Sequence, residues 1–167
     1  MNKTALKGVP IELEGQFPEK GATVPDFVLV DKTLKDCSLA DFQGKRKLLS
    51  IVPSLDTKVC LLSSKKFNDA AKQDTNLMVL VIASDLPFAM ERICGFENLD
   101  NIKTLSMMRD KSFGRDYGVL MKNGPLAGIT ARAVIVLDEG NKVLYSELVE
   151  DLANEPKYEE ALNALKS

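Results

Sequence analysis

The sequence predicts an α/β domain built around a mixed central β-sheet. Two observations carry that expectation. Apolar runs of strand length, "RKLLSIV", "LMVLVIAS" and "ARAVIVLD", recur along the chain and are bounded by turn residues. After the first two lie segments whose apolar residues recur at helical spacing, and strands alternating with helices build a sheet with helices on its faces.

The elements follow in order. "PIELEG" alternates apolar and polar residues, and Gly8, Val9 and Pro10 mark a turn leading into it, which reads as an N-terminal β-hairpin. "PDFVLVD" is a further strand, and "CSLADF" a brief helical turn capped by Ser38. "RKLLSIV" ends at Pro53, which has no N–H to give a neighbouring strand. "VCLLSSKKFNDAAKQ" is a helix whose apolar face holds Val59, Leu62, Phe67, Ala70 and Ala71. "LMVLVIAS" is a strand buried on both sides. "LPFAMERICG" follows Asp85 and carries Pro87 near its start, both helix-opening signals; Leu86, Met90, Ile93 and Cys94 share one face and Gly95 closes it. "IKTLSMM" is a strand, "ARAVIVLD" and "KVLYSELV" pair through the turn "EGN", and "PKYEEALNALK" is a terminal helix striped by Tyr158, Ala161, Leu162 and Leu165. The order β-α-β-α-β, β-hairpin, α is a thioredoxin-like arrangement behind an N-terminal β extension. Its 167 residues fit one domain spanning 1–167.

Composition narrows the function. Net charge is −2 with acids and bases interspersed, so no basic stripe points to nucleic acid. The opening "MNKTALKGVPIELEG" lacks the apolar core of a signal peptide, and no run is long enough to cross a bilayer, so a cytoplasmic protein without a membrane partner is expected. There are three cysteines, Cys37, Cys60 and Cys94, and no histidine. That spacing fits neither a disulfide scaffold nor a zinc site, and a Cys–His dyad is excluded. An activated thiol here must rely on a helix terminus, a lysine or arginine, or local hydrogen bonds.

The stretch "SIVPSLDTKVCLLSSKKF" meets that requirement. With Asp56 or Thr57 as N-cap, Cys60 falls in the first turn of a helix, where unpaired N–H groups and the positive helix end face its sulfur and favour thiolate. Pro53 can wall off one side from water. Thr57, about one turn earlier, can offer its hydroxyl to an oxygen near the sulfur. Such a pocket suits the small, neutral O–O bond of a peroxide: the thiolate takes one oxygen and becomes a sulfenic acid, and donors stabilise the charge on the other. Taken alone, a cysteine beside an apolar segment is more often a buried small hydrophobe; the Pro, Thr and Cys spacing at a strand-to-helix junction shifts the balance to catalysis.

Pro53-Ser-Leu-Asp-Thr57-Lys-Val-Cys60 matches the Pro-x-x-x-Thr/Ser-x-x-Cys signature of peroxiredoxins. "SSKKFN", "SDLPFAMERICG", "GPLAGITARAVIVLD" and "EPKYEEAL" extend the likeness, in order and over almost the whole chain, to the thiol peroxidase subfamily, of the atypical two-cysteine type. The resemblance implies that Cys60 is the peroxidatic cysteine, that Thr57 hydrogen-bonds the peroxide, and that Pro53 shields the sulfenate. It implies that Arg132 supplies a fixed positive charge; without the family, Arg132 reads as a surface ion-pair partner. Lys58 reads as a solvated residue at the helix start. Cys94 takes the resolving place, giving a Cys60–Cys94 intrachain disulfide, where periodicity alone makes it a core thiol. A disulfide needs the two Cα atoms within roughly 7 Å, so both helices are expected to open locally. Cys37 takes no family position and reads as a partly buried bystander.

The resemblance also implies thioredoxin as the reductant, a homodimer with "DLPFA" and "KNGPLAG" as interface loops, and no cofactor. It implies hydrogen peroxide and alkyl or lipid hydroperoxides as substrates in antioxidant defence. Phe88, Met90, Ile93, Phe96, Met107 and Met108 are candidates for an apolar collar, with Met107 read as core. The chain has neither a C-x-x-C nor a Gly-rich dinucleotide fingerprint, so it is not itself a thioredoxin-type exchanger or a reductase. A cysteine phosphatase would need an arginine where Lys66 stands and a Gly-rich phosphate cradle, and has neither. A redox relay that oxidises a partner protein would use the same residues. A peroxiredoxin-like chaperone is disfavoured by the presence of the whole set.

Overall fold

The computed structural model describes residues 3–166. The chain opens with an antiparallel hairpin, β1 (Lys3–Leu6) and β2 (Val9–Glu14). Its two turn residues, Lys7 and Gly8, both have positive φ (50° and 82°), the geometry that matches the twist of a two-residue hairpin. The predicted strand over 25–31 pairs only at β3 (Leu29–Val30). The Asp26 carboxylate accepts the N–H groups of Phe27 and Leu39 and holds the preceding chain as a loop. β4 (Asp36–Cys37) and a short 3-10 turn over Leu39–Phe42 follow.

The alternating unit then runs as expected through β5 (Arg46–Ile51), α1 (Lys58–Gln73), β6 (Leu77–Ala83), α2 (Pro87–Glu97) and β7 (Ile102–Ser106). Two elements were not anticipated, α3 (Ser112–Asp116) and β8 (Leu120–Met121). β9 (Ala133–Leu137), β10 (Val143–Leu148) and α4 (Tyr158–Ala164) close the chain. In the β9–β10 turn the Asp138 carboxylate accepts the N–H groups of Gly140 and Lys142, each at 2.9 Å.

Among the described residues the main sheet has seven strands in the order β10-β9-β5-β6-β7-β3-β4. β5, β6 and β7 are parallel, and β9 and β3 join antiparallel on either side. β1, β2 and β8 form a separate three-stranded sheet. Side chains alternate across the main sheet with the period of two that a strand imposes. Leu49, Ile51, Leu80, Ile82, Ile135 and Leu137 enter one core with Phe27, Phe113 and Tyr117. Leu48, Val79, Val81, Val134 and Val136 enter the other, beneath α1, α2 and α4. The three longer helices therefore cover one face, and the other is closed by the 17–42 segment and α3.

The inward face of α1 differs from the expected one. Leu62 is 41% exposed, while Cys60, Ser63, Ser64, Phe67 and Asn68 are buried. The serine hydroxyls are accommodated by donating to carbonyls four residues back, Ser63 to Val59 at 3.0 Å and Ser64 to Cys60 at 2.9 Å. α2 also runs past Gly95. It ends at Asn98, in the left-handed region (φ 56°), and the Leu99 N–H returns to the Cys94 carbonyl at 2.9 Å, a closure that an asparagine can provide in place of glycine.

Candidate active site

The site begins where β5 leaves the sheet. The Val52 N–H still donates to the Ile82 carbonyl at 3.0 Å, and the Thr130 hydroxyl donates to the Val52 carbonyl at 2.9 Å. Pro53 comes next and is buried. The loop after it is built around Asp85, whose carboxylate accepts the Ser54 hydroxyl at 2.8 Å and the Leu55 N–H at 2.7 Å. In the sequence Asp85 reads as a helix-opening signal for α2. The structure gives the N-cap of α2 to Leu86 and turns the Asp85 side chain toward the Cys60 loop.

Thr57 is the N-cap of α1 and has extended backbone. Its hydroxyl makes no cap bond; it donates to the Ser54 carbonyl at 3.1 Å. Thr57 and Lys58 are exposed. The Leu61 N–H donates to the Thr57 carbonyl at 2.9 Å, so the N–H groups of Lys58, Val59 and Cys60 fall in the first turn, ahead of that helical bond. Cys60 thus stands at the positive end of a sixteen-residue helix. Its side chain is fully buried.

Arg132 reaches Cys60 from the adjacent strand. The pairing of Ile51 with Ala133 sets β9 beside β5, and Arg132 immediately precedes β9. It is only 4% exposed, not a surface ion-pair partner. One guanidinium nitrogen, Nη1, donates to the Cys60 Sγ at 3.0 Å. Nη2 and Nε both donate to the Leu152 carbonyl, at 2.8 and 3.3 Å. No carboxylate of a described residue lies within ion-pair distance of it. The backbone around Leu152 is itself held by the N-terminal hairpin: the Leu152 N–H donates to the Ala5 carbonyl at 2.8 Å, and the Thr4 hydroxyl to the Val149 carbonyl at 2.8 Å. Nothing in the local sequence announced Leu152, because its contribution is a backbone carbonyl.

Cys94 lies near the end of α2 and is 8% exposed. It shares an apolar cluster with Cys60, Leu55 and Met90, and all three cysteines are free thiols. Burial pushes the Cys94 thiol up to about 11; the Glu91 and Asp100 carboxylates add to that and Lys32 opposes it. Cys37 is buried in the opposite core, and burial raises its thiol to about 11 as well. Lys66 lies over Tyr158, its ammonium 4.3 Å from the centre of the ring. A cavity of about 600 Å³ opens between the first turn of α1 and α2, lined in part by Leu55, Thr57, Leu61, Ile93 and Phe96. Of the proposed collar, Met90 and Met107 are core, whereas Phe88, Phe96 and Met108 are exposed.

Known proteins match this arrangement along nearly the whole chain. A family model described as Redoxin matches residues 19–162. A protein named thiol peroxidase from Leptospira interrogans is 46% identical over 166 residues, 98% of this chain and 97% of its own. The crystal structure of a peroxiredoxin-like protein from Aquifex aeolicus superposes with a TM-score of 0.93 at 37% identity, covering 99% of this chain and 96% of that one. Thiol peroxidase from Chromobacterium violaceum gives 0.91 at 30% identity, covering 98% and 95%. The chain belongs to the Redoxin family and, within it, to the thiol peroxidase subfamily of peroxiredoxins, with a thioredoxin-like fold and peroxidase activity.

Proposed function

We propose that Cys60 is the nucleophile of this peroxidase and Cys94 its resolving partner, within one domain spanning 1–167. The observation that carries the reading is the buried guanidinium at 3.0 Å from the Cys60 sulfur. A buried cation needs a counter-charge, and with no carboxylate in reach a Cys60 thiolate is the group that supplies it. In the first step the thiolate attacks the terminal oxygen of ROOH, the O–O bond breaks, and RO⁻ leaves to take up a proton as ROH. Arg132 and the first-turn N–H groups of α1 stabilise the departing charge. Thr57, whose own proton goes to Ser54, offers its oxygen lone pairs to the peroxide O–H. Pro53 limits water at the sulfenate.

In the second step the Cys94 thiol condenses with the Cys60 sulfenic acid, forming the disulfide and releasing water. An external dithiol then reduces the disulfide by exchange and is itself oxidised; thioredoxin fits this role. Hydrogen peroxide and organic hydroperoxides of alkyl or lipid type are the substrates, the latter favoured by the partly apolar cavity beside Thr57. The protein acts as a homodimer in cytoplasmic antioxidant defence. The test is mass spectrometry of the protein after one equivalent of peroxide. A Cys60–Cys94 link is expected; oxidation confined to Cys37, or no oxidation at all, overturns the reading.

A further inference from the structure

Asp85 belongs to the chain that enters α2, yet its carboxylate serves the loop that enters α1. It accepts the Ser54 hydroxyl at 2.8 Å and the Leu55 N–H at 2.7 Å, and Ser54 Oγ accepts the Asp56 N–H at 3.2 Å. The Asp85 carbonyl accepts the Ser106 hydroxyl at 2.5 Å, and Ser106 Oγ accepts the Met108 N–H at 3.1 Å. One residue therefore ties together the approach to Cys60, the approach to Cys94 and the end of β7.

Two steps make opposite demands on that tie. Attack on peroxide needs the 53–57 loop fixed, so that Cys60 and Arg132 stay aligned. Condensation of the Cys60 sulfenic acid with the Cys94 thiol, which forms S–S and releases water, needs both helix entrances to loosen, because both sulfurs are held in intact helices. We propose that Asp85 is a positioning residue that latches the closed arrangement: its two accepted hydrogen bonds speed peroxide attack and slow disulfide closure. This rests on the assignment of Cys60 and Cys94 above.

The experiment compares wild type, Asp85→Ala and Asp85→Asn as full-length protein, pre-reduced and mixed with hydrogen peroxide in a quench-flow device. Sulfenate is trapped with dimedone, and the disulfide is counted by mass spectrometry. Asp85→Ala is expected to slow sulfenate formation about tenfold, as for loss of hydrogen bonds to a charged acceptor, and to speed disulfide closure several-fold. Asp85→Asn keeps one acceptor oxygen and can donate to Ser54 Oγ, so it should remain within about threefold of wild type in both steps. Hydrogen exchange of the reduced proteins is the second readout. Amides of 54–62 and 86–97 should exchange faster together in Asp85→Ala, with β5 and β6 unchanged.

A general loss of stability would also speed exchange in β5 and β6, which loss of the latch leaves unchanged. Asp85→Ala shifting both steps in the same direction, or leaving both rates and the exchange pattern at wild-type values, overturns the proposal. Should Asp85→Ala not fold, Ser54→Ala removes one of the two bonds and must show the same opposed signs at smaller size; their absence is equally decisive. If wild type forms no Cys60–Cys94 link, the functional assignment falls, and the exchange comparison alone decides the latch.

Discussion

Cys60 and Cys94 sit in one apolar cluster, but their electrostatic surroundings are opposite. Cys60 occupies the first turn of α1, at the positive end of the helix, with a guanidinium nitrogen 3.0 Å from its sulfur. Cys94 occupies the last turn of α2, toward the negative end, with Glu91 and Asp100 adding to the burial that keeps its proton on. One thiol is placed where positive charge gathers and the other where negative charge gathers. Such surroundings suit a division of labour between the two thiols. The proposed cycle needs one sulfur ready to attack and a second that stays inert until the first is oxidised.

Replacing either sulfur has the largest expected effect. Cys60→Ser is expected to reduce peroxide consumption to the uncatalysed rate. Cys94→Ser should still consume one equivalent per protein and form a Cys60 sulfenate, then stop turning over with thioredoxin. Peroxide loss by stopped assay, with sulfenate trapping, checks both; equal loss of the first step in the two variants shows that the roles are not divided in this way. Next in size is Arg132→Lys. Lysine keeps the charge but not the planar fork that spans the Leu152 carbonyl and the Cys60 sulfur. Sulfenate formation should slow about 100-fold, in the range of losing one preorganised donor, with Cys94 alkylation under denaturing conditions unchanged. A rate within threefold of wild type would mean that charge alone suffices.

These residues differ in how far the sequence revealed them. Cys60, Thr57 and Pro53 lie in one local segment, so a single strand-to-helix junction disclosed their neighbourhood. The central strands are legible because they are continuous apolar runs of strand length whose ends carry turn residues. Arg132 could be brought to Cys60 only through family resemblance, since its approach depends on β9 pairing with β5 across many intervening residues. Leu152 and the hairpin behind it act through backbone groups, which no side-chain pattern encodes. Asp85 was visible as a helix signal, but its side chain serves a tertiary contact instead. The face of α1 was misjudged because the buried positions include serines and an asparagine, whose hydrogen bonds compensate for their polarity.

The two thiols also differ in their response to pH. While α2 is closed, the Cys94 thiol titrates at about 11, raised from 9.0 by burial. In the proposed cycle the helix opens before closure, which removes that burial and returns the thiol to the ordinary value. The rate of disulfide closure, followed by acid quench from pH 7 to pH 10, should therefore rise with pH, as the attacking thiolate becomes more abundant, by up to about tenfold per unit, and level near 9. A rise that continues undiminished to pH 10 would mean that Cys94 attacks from its buried position.

The smallest effect belongs to Cys37, which has the burial of Cys94 without its place near the site. Its thiol is raised from 9.0 to about 11, chiefly by burial in the core that holds Phe27, Phe42 and Phe113; Lys103 opposes the shift and Asp41 adds to it. A folded value above the unfolded one means that the native state binds the proton more tightly. The associated stability is whole below pH 9 and is lost as pH rises toward 11. Cys94 contributes a loss of the same sign in the same window. Removing Cys37 isolates its part: in urea denaturation under reducing conditions, Cys37→Ala should be less stable than wild type at pH 7.5 by about 1 kcal/mol, and the gap should narrow between pH 9 and pH 10.5. Peroxide reduction at pH 7.5 should be unchanged, because Cys37 lies across the sheet from Cys60, in the other core. A gap that stays constant with pH would mean that the Cys37 thiol titrates alike in the folded and unfolded chains, and that burial alone does not hold a proton on sulfur here.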